Sequence, residues 1–249
     1  MDIWAACKEA VVPGSLKGEL IRVVESQEQI ATRTLVDDLA EQALLEDLLE
    51  MSKPPLPADS AHLDYLLSSP FRYPPLAYGS RFGSRHEPSL FYGALDVAPA
   101  LAETAYYRLV FWSGMSITPP TGRLTTEHTL FAARYETQRG VKLNKPPFDT
   151  FTSSLIDPKS YRDTQLLGHH LREAGIEAFE YLSARDPGGG MNIALFTARA
   201  FAEPAPRWKQ SWLCDTREED VVFYNKEHGT RVYRREQFLV DGRLPSPPS

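Results

Sequence analysis

Residues 71–108 concentrate the side chains of this sequence that could act on an anionic ligand. The stretch reads FRYPPLAYGSRFGSRHEPSLFYGALDVAPALAETAYYR and contains Arg72, Arg81 and Arg85 among several aromatic residues. A guanidinium fork binds a phosphate through two parallel hydrogen bonds, and an aromatic face packs on a flat ring. The stretch therefore predicts a site for a ligand that carries a diphosphate.

Glu103 could supply the reactive group of such a site. Arg81, Tyr92 and Glu103 follow one another at intervals of eleven residues, and a carboxylate can stabilise positive charge that develops at a sugar carbon. Each residue also has an ordinary explanation, such as a surface ion pair between Arg85 and Glu87. Reasoning from the residues alone leaves both interpretations open.

Ser183 is a further candidate, far along the chain. It lies in YLSARDP, at the end of a predicted strand and before Arg185 and Asp186. Its hydroxyl could donate a hydrogen bond to a ligand amide or a ribose. A serine that satisfies a carbonyl at the end of a strand would explain the same pattern.

A strand and a helix must position the first of these side chains. SLFYGA is predicted to be a strand that contains Tyr92, between turns marked by glycines. From Val97 to Trp112 the apolar residues have helical spacing, with Asp96 as the N-cap. This helix would place Glu103 beside the face that packs on the strands.

The residues before this stretch are predicted to be helical. Apolar side chains recur at steps of three and four over residues 16–50, which predicts an amphipathic helix, broken once near Ser26 or Thr32 and ended by KPPLP. Residues 61–67 are predicted to form a short helix that is stopped by Pro70.

The rest of the chain alternates predicted strands with one helix. HTLFAARYE, IEAFEYLSA and MNIALF are predicted strands, residues 161–174 a helix closed by Gly175, and the segments around HG a β-hairpin. DPGGG leads into a strand and not a helix, which favours a tight turn over a phosphate loop, although its N–H groups could border a pocket. LPSPPS is too rich in proline to pack.

Composition excludes several functional classes. A formal net charge of −6 argues against sequence-blind binding of nucleic acid. The two cysteines lie far apart, so we expect neither a disulfide framework nor a metal site built from cysteines. No window has the roughly 18 apolar residues of a membrane helix. His169 and His170 share a predicted helix with Glu173 but point about 100° apart, so we expect no metal site. The N-terminus lacks a signal-peptide pattern, and we expect a cytoplasmic protein with no membrane partner.

At these residues the chain resembles the RES-domain family, the toxins of bacterial toxin–antitoxin pairs. The matching pieces span residues 71–196 in the family's order: FRYPP, GSRFG, LFYGA, ALAETAYYR, TQLLG and YLSARDPGGGMNIALF. The resemblance implies an α+β, ADP-ribosyltransferase-like fold with a mixed or split β-sheet and flanking helices. It divides the chain into an N-terminal helical extension (residues 1–60) and a RES domain (residues 61–244), and the proline-rich residues 245–249 are expected to form a flexible tail.

The resemblance also implies an activity and a set of site residues. NAD+ would be a substrate and not a resident cofactor: its nicotinamide–ribose bond would be cleaved, with inorganic phosphate or water as acceptor. The implied catalytic residues are Glu103, Arg81 and Ser183. The implied substrate-binding residues are Arg72, Tyr73, Tyr92 and Arg85.

A partner is implied as well: a cognate helix-turn-helix antitoxin that covers the active site. Transfer of ADP-ribose to a protein, and a non-catalytic module that binds NAD+ or ADP-ribose, are the competing functions. The motif YLSAR selects Ser183 over Ser153 and Ser160 as the family serine. The sequence leaves open the oligomeric state and the role of the N-terminal helix.

Overall fold

A computed structural model describes residues 1–26 and 35–246. Its α-helices are α1 (Ile3–Cys7), α2 (Leu39–Ser52), α3 (Tyr65–Arg72), α4 (Val97–Ser113), α5 (Thr152–Leu155) and α6 (Arg162–Glu173). Its strands are β1 (Gly14–Glu25), β2 (Phe91–Ala94), β3 (Leu124–Lys142), β4 (Ala178–Leu182), β5 (Met191–Leu195), β6 (Trp208–Thr216), β7 (Asp220–Asn225) and β8 (Gly229–Arg234). Within these ranges, no helix combines the length and hydrophobicity needed to cross a bilayer.

The eight strands form one mixed sheet in which five strands pair in a closed ring. Pairing runs from β1 through β2, β5, β4 and β3, and the long strand β3 pairs with β1 again. Strands β6, β7 and β8 extend the sheet from β3. The β3–β4 pair is parallel and the others are antiparallel. The expected α+β class, a mixed sheet with flanking helices, is confirmed.

The predicted N-terminal helix over residues 16–50 is wrong in its first part. Residues 14–25 are strand β1, which pairs with β3 along almost its whole length. Leu16 and Leu20 are buried there, and a spacing of four suits one face of a strand as well as one face of a helix. Strand β1 is therefore part of the central sheet, while α2 confirms a helix further on. The predicted break at Thr32 lies outside the described residues.

Two predictions based on proline are also wrong. Helix α3 includes Pro70 and continues to Arg72, because Phe71 packs against Phe91 and Phe201 and holds the helix past the proline. The C-terminal LPSPPS segment packs in part, since the Tyr106 hydroxyl donates to the Pro245 carbonyl. In both segments, tertiary contacts outweigh the local tendency of proline to end a helix or to prevent packing. The domain boundaries at residues 60 and 244 stay predictions.

Helix α4 forms as its sequence predicts. The Asp96 carboxylate accepts a hydrogen bond from the Val97 amide and caps the helix. Its buried face packs on the sheet through Leu101, Ala105 and Leu109, which belong to one core cluster with Leu130, Trp212 and Phe223. This packing fixes the rotation of α4 and therefore the direction of Glu103.

Candidate active site

A cavity of about 380 Å³ lies where α4 meets the closed ring of strands. Its lining comes from β1, the loop before β2, β2, α4, the start of α6, β4 and β5; the polar side chains among it include Arg22, Ser80, Arg81, Tyr92, Glu103, Thr104, Tyr107, Tyr161, Tyr181 and Asn192. We call it the glutamate cavity. Its volume falls within the range of small-molecule sites.

Glu103 is held in this cavity through one of its two carboxylate oxygens. Its Oε1 accepts hydrogen bonds from the Ser183 hydroxyl at 2.7 Å and from Asn192 Nδ2 at 3.0 Å. Its Oε2 has no hydrogen-bond partner among the residues that the structure describes. One oxygen therefore orients the carboxylate, and the other remains able to act on a ligand.

Ser183 lies in the turn between β4 and β5 and is fixed by the backbone of that turn. Its Oγ accepts from the amides of Arg185 at 3.2 Å and Asp186 at 3.1 Å. With both N–H groups directed at Oγ, the hydroxyl proton points to Glu103. Ser183 does not line the glutamate cavity, so it positions Glu103 from behind.

The DPGGG segment is a tight turn, as predicted. The Asp186 carboxylate accepts hydrogen bonds from the amides of Gly188 and Gly190, both at 3.0 Å. The Gly190 carbonyl accepts from the Ser183 amide at 2.8 Å and closes the turn. The glycines therefore shape the support of Ser183.

Arg81 lines the cavity and is almost fully buried. Its Nη1 donates to the Asp157 carbonyl at 2.8 Å, and its guanidinium lies 4.7 Å from the centre of the Tyr161 ring. Neither contact neutralises its charge, and the structure describes no carboxylate paired with it. Arg81 therefore gives the cavity an oriented positive charge.

Arg22, on β1, is a second cation in the cavity. Its Nη1 donates to the Tyr92 carbonyl at 2.8 Å, and its guanidinium lies 4.7 Å from the centre of the Phe91 ring. Burial lowers the pKa of Arg22 to about 10, which leaves it charged at neutral pH. Within the described residues it forms no ion pair, so an anionic ligand could neutralise it.

Tyr92 forms part of the cavity wall. Its hydroxyl lies 2.8 Å from the Ser80 hydroxyl and accepts from the Phe82 amide at 3.1 Å. Burial raises the pKa of Tyr92 to about 12. The phenol therefore stays neutral, and these two contacts hold its ring in place.

Three of the predicted substrate-binding residues do not reach the glutamate cavity. Arg72 donates through Nη1 to the Glu50 carboxylate at 2.6 Å and through Nε to the Pro54 carbonyl. Arg85 is exposed and contacts His86 through Nε. Tyr73 lines a neighbouring cavity instead. Of the predicted site residues, the structure therefore brings Arg81, Tyr92, Glu103 and Ser183 together.

The model of one protein family matches residues 56–217, the RES domain. This chain belongs to the RES domain family. The match includes the four residues just named and leaves out β1 with Arg22.

One solved structure similar to this RES domain is the crystal structure of the M. tuberculosis MbcT–MbcA toxin–antitoxin complex. The TM-score is 0.46 and the sequence identity 10%, over 80% of this chain and 86% of that chain. No curated protein matches the chain in sequence.

Reasoning from the sequence missed Arg22 and Asn192 of this RES domain site. Arg22 lies within the amphipathic helix predicted over residues 16–50, and only the pairing of β1 with β3 places it in the cavity. Asn192 opens the predicted strand MNIALF, and a buried polar residue in such a strand was the available signal. Its Nδ2 donates to Glu103, while its buried Oδ1 has no hydrogen-bond partner in the described part of the chain.

The expectation that His169 and His170 cannot both face one point with Glu173 is wrong, while the absence of a metal site stays a prediction. His169 Nε2 and His170 Nδ1 lie 3.4 Å and 3.5 Å from the two oxygens of Glu173, and one ligand atom from each residue lies within 4.8 Å of the others. The side chains converge because positions i+3 and i+4 share a helix face. The Glu87 carboxylate accepts a hydrogen bond from Nδ1 of His169 at 2.9 Å, so hydrogen bonds account for much of this surface cluster.

Proposed function

We propose that this RES domain consumes NAD+ by breaking the bond between nicotinamide and ribose. The observation that carries the proposal is the Glu103 carboxylate, which is oriented through Oε1 by Ser183 and Asn192 and leaves Oε2 for the ligand. The same cavity contains Arg22 and Arg81, neither of which pairs with a carboxylate within residues 1–26 and 35–246. A carboxylate beside these two cations suits a ligand that has both a cationic reacting centre and anionic phosphates.

The chemistry follows from these charges. The electrons of the bond between ribose C1′ and the nicotinamide nitrogen leave with nicotinamide, which departs neutral. Positive charge then develops on the ribose ring, and Glu103 Oε2 stabilises it in a site where Ser183 already fixes the carboxylate. An oxygen of phosphate or water attacks C1′ and forms the new bond, and any proton that it carries is released to solvent.

The remaining groups of the cavity suit the other parts of NAD+. The guanidinium groups of Arg22 and Arg81 pair with the diphosphate or with an attacking phosphate. Asn192 Oδ1, which has no hydrogen-bond partner among the described residues, accepts an N–H of the nicotinamide carboxamide. Tyr92 and Tyr161 offer aromatic surface to the nicotinamide ring or its ribose.

We also propose which cofactor, partner and cellular compartment belong to this activity. NAD+ is a substrate and no resident cofactor is needed, since Glu103 and the two arginines supply the charges. The family resemblance supports a toxin kept inactive by a helix-turn-helix antitoxin that covers the open cavity, in the cytoplasm.

Incubation of the purified protein with NAD+, with and without phosphate, tests the function by the masses of the products. We expect nicotinamide together with ADP-ribose joined to phosphate, or free ADP-ribose when water is the acceptor. Radiolabel transferred from NAD+ to a cellular protein would select the ADP-ribosyltransferase instead. Intact NAD+ under all these conditions would exclude an NAD+-consuming enzyme.

A further inference from the structure

The last turn of helix α6 carries three possible metal ligands that the proposed function does not use. They are His169, His170 and Glu173, and one nitrogen or oxygen atom from each lies within 4.8 Å of the other two. In the part of the chain that the structure describes, no other group of three histidine, cysteine or acidic side chains converges in this way. None of the three lines the glutamate cavity. We call them the histidine cluster.

The separations inside the histidine cluster suit a shared metal ion better than direct hydrogen bonds. Nε2 of His169 lies 3.4 Å from Oε1 of Glu173, and Nδ1 of His170 lies 3.5 Å from Oε2. An ordinary N–H···O hydrogen bond spans only roughly 2.7–3.2 Å. Two ligands that bind one zinc ion at about 2.0–2.1 Å in tetrahedral geometry lie about 3.3–3.4 Å apart. All three side chains are partly exposed, so small rotations can bring them onto one ion.

Glu87 determines which nitrogen of His169 is available to a metal. Its carboxylate accepts a hydrogen bond from Nδ1 of His169 at 2.9 Å, so Nε2 of the neutral ring directs a lone pair toward Glu173. The Ser84 amide donates to the other oxygen of Glu87 at 3.0 Å and holds this carboxylate in place. A histidine that binds a metal usually donates its other N–H to a carboxylate in the same way.

His170 has a carboxylate on its outer side as well. Oδ2 of Asp2 lies 3.8 Å from Nε2 of His170. The Trp4 ring, on helix α1, stacks on the His170 imidazole with 6.5 Å between the ring centres. These neighbours from α1 leave Nδ1 as the nitrogen that faces Glu173.

The charges around the histidine cluster favour a cation. The carboxylates of Asp2, Glu87 and Glu173 border it, and it lies at the C-terminal end of α6, where the backbone carbonyls carry partial negative charge. Arg172 is adjacent in the helix but directs its guanidinium to the Pro88 carbonyl and the Phe196 ring. An ion that enters from solvent therefore meets acceptors and not a competing cation.

We propose that the histidine cluster binds a zinc ion through His169 Nε2, His170 Nδ1 and Glu173, with Glu87 as the acceptor that orients His169. Imidazole and carboxylate ligands suit zinc, and three protein ligands leave the fourth tetrahedral position to water. The proposal replaces the expectation from the sequence that this helix binds no metal, which depended on the two imidazoles pointing apart. The ion does not act on NAD+; it joins α6 to the loop that contains Glu87.

Calorimetric titration of zinc into the untagged full chain tests this site. We expect saturation at one ion per chain. The double variant His169→Gln/His170→Gln removes both imidazoles and should abolish saturable binding. His62→Gln, at an exposed position outside the cluster, is the matched control and should bind zinc as the parent does. Magnesium should give no saturable binding, because it prefers oxygen ligands.

Glu87→Gln tests the orienting role by itself. It removes the negative charge beside Nδ1 of His169 and leaves all three zinc ligands, so the Kd for zinc should rise about tenfold or more. Glu236→Gln, at an exposed position, should leave the Kd unchanged. Zinc should also raise the melting temperature of the parent but not that of the double histidine variant. Melting without zinc identifies any variant that is damaged in folding.

The outcomes decide the proposal whether or not NAD+ is consumed. Zinc binding that is lost in the double variant and weakened in Glu87→Gln supports it. A parent chain that binds no zinc overturns it, and so does a folded double variant that binds zinc as tightly as the parent, since the ion then lies elsewhere. An unchanged Kd in Glu87→Gln overturns the role assigned to Glu87.

Discussion

At the scale of single residues, Glu103 depends on donors from two other parts of the chain. Ser183 and Asn192 lie eighty or more positions away in sequence, yet both bond to the same oxygen, Oε1. Oε2 is left without a hydrogen-bond partner among the described residues. Removing the charge of the carboxylate and removing its orientation are therefore separable experiments.

Glu103→Gln removes the charge and keeps the shape. The glutamine carbonyl oxygen can accept the same hydrogen bonds from Ser183 and Asn192, and the amide NH2 group takes the place of Oε2. We expect kcat for NAD+ consumption to fall at least about 100-fold with an unchanged melting temperature. Glu227→Gln, at an exposed position, is the control; an active Glu103→Gln variant would contradict the role of this carboxylate.

Removing the charge of Arg22 and removing that of Arg72 should affect KM for NAD+ differently. Arg22→Met keeps the aliphatic stem but removes the cation, and we expect KM for NAD+ to rise about tenfold or more, as for the loss of a charged hydrogen bond. Arg72→Met removes a cation that already pairs with Glu50, so KM should stay unchanged. Steady-state kinetics of the two variants decides the question; the reverse result would restore Arg72 as the phosphate ligand.

At the scale of elements, the glycine-rich turn between β4 and β5 holds Ser183 in position to bond to Glu103. Asp186 gathers the amides of Gly188 and Gly190, and the Ser183 hydroxyl gathers those of Arg185 and Asp186. Any displacement of this turn moves Ser183 away from Glu103. The glycine-rich segment therefore fixes the position of Ser183. It acts on the glutamate cavity through the hydrogen bond from Ser183 to Glu103.

Gly190→Ala tests this support. An added Cβ would lie 2.5 Å from Asp186 Oδ2 and 2.8 Å from Pro99 Cγ, so the turn must shift. We expect a loss of about 1–3 kcal/mol in the free energy of unfolding, typical of overpacking. We also expect kcat to fall by a larger factor than the factor by which KM changes. Gly114→Ala, whose Cβ would meet atoms at 3.6 Å, should change neither. Denaturant unfolding and steady-state kinetics measure both effects.

At the scale of the whole molecule, the closed ring of strands places residues that are far apart in the sequence in one cavity. Strand β1 contributes Arg22 and β5 contributes Asn192. The stability of the sheet therefore affects the site, and one buried histidine makes that stability depend on pH. His128, on β3, contacts Thr126 through Nε2, and its buried Nδ1 has no partner within the described ranges.

Acid should destabilise the protein through His128. Burial, aided by the charge of Arg108, lowers the pKa of His128 from 6.5 to about 4. The unfolded chain takes up this proton first, so stability is complete above pH 6.5 and falls as the pH drops toward 4, by roughly 3 kcal/mol. Denaturant unfolding across this range should show a flatter profile for His128→Gln than for the parent. His62→Gln, at an exposed site, should keep the parent's slope.

Local patterns were sufficient where one element alone fixes a residue. The cap at Asp96, the spacing of α4, the strand around Tyr92 and the DPGGG turn all follow from neighbouring residues, and the structure confirms them. They also carry the family resemblance. Strand β1 was mistaken for a helix because Leu16 and Leu20 satisfy both periodicities.

The sequence by itself determined the RES domain motifs and the local elements that present Arg81, Tyr92 and Glu103. Only the tertiary structure decided which second arginine shares the cavity and that Ser183 orients Glu103 from outside it. Pairing of β1 with β3 brings Arg22 to the site, an ion pair with Glu50 keeps Arg72 away, and the β4–β5 turn places Ser183 behind Glu103. These contacts join residues distant in sequence, and no local pattern encodes the partner that such a residue will meet.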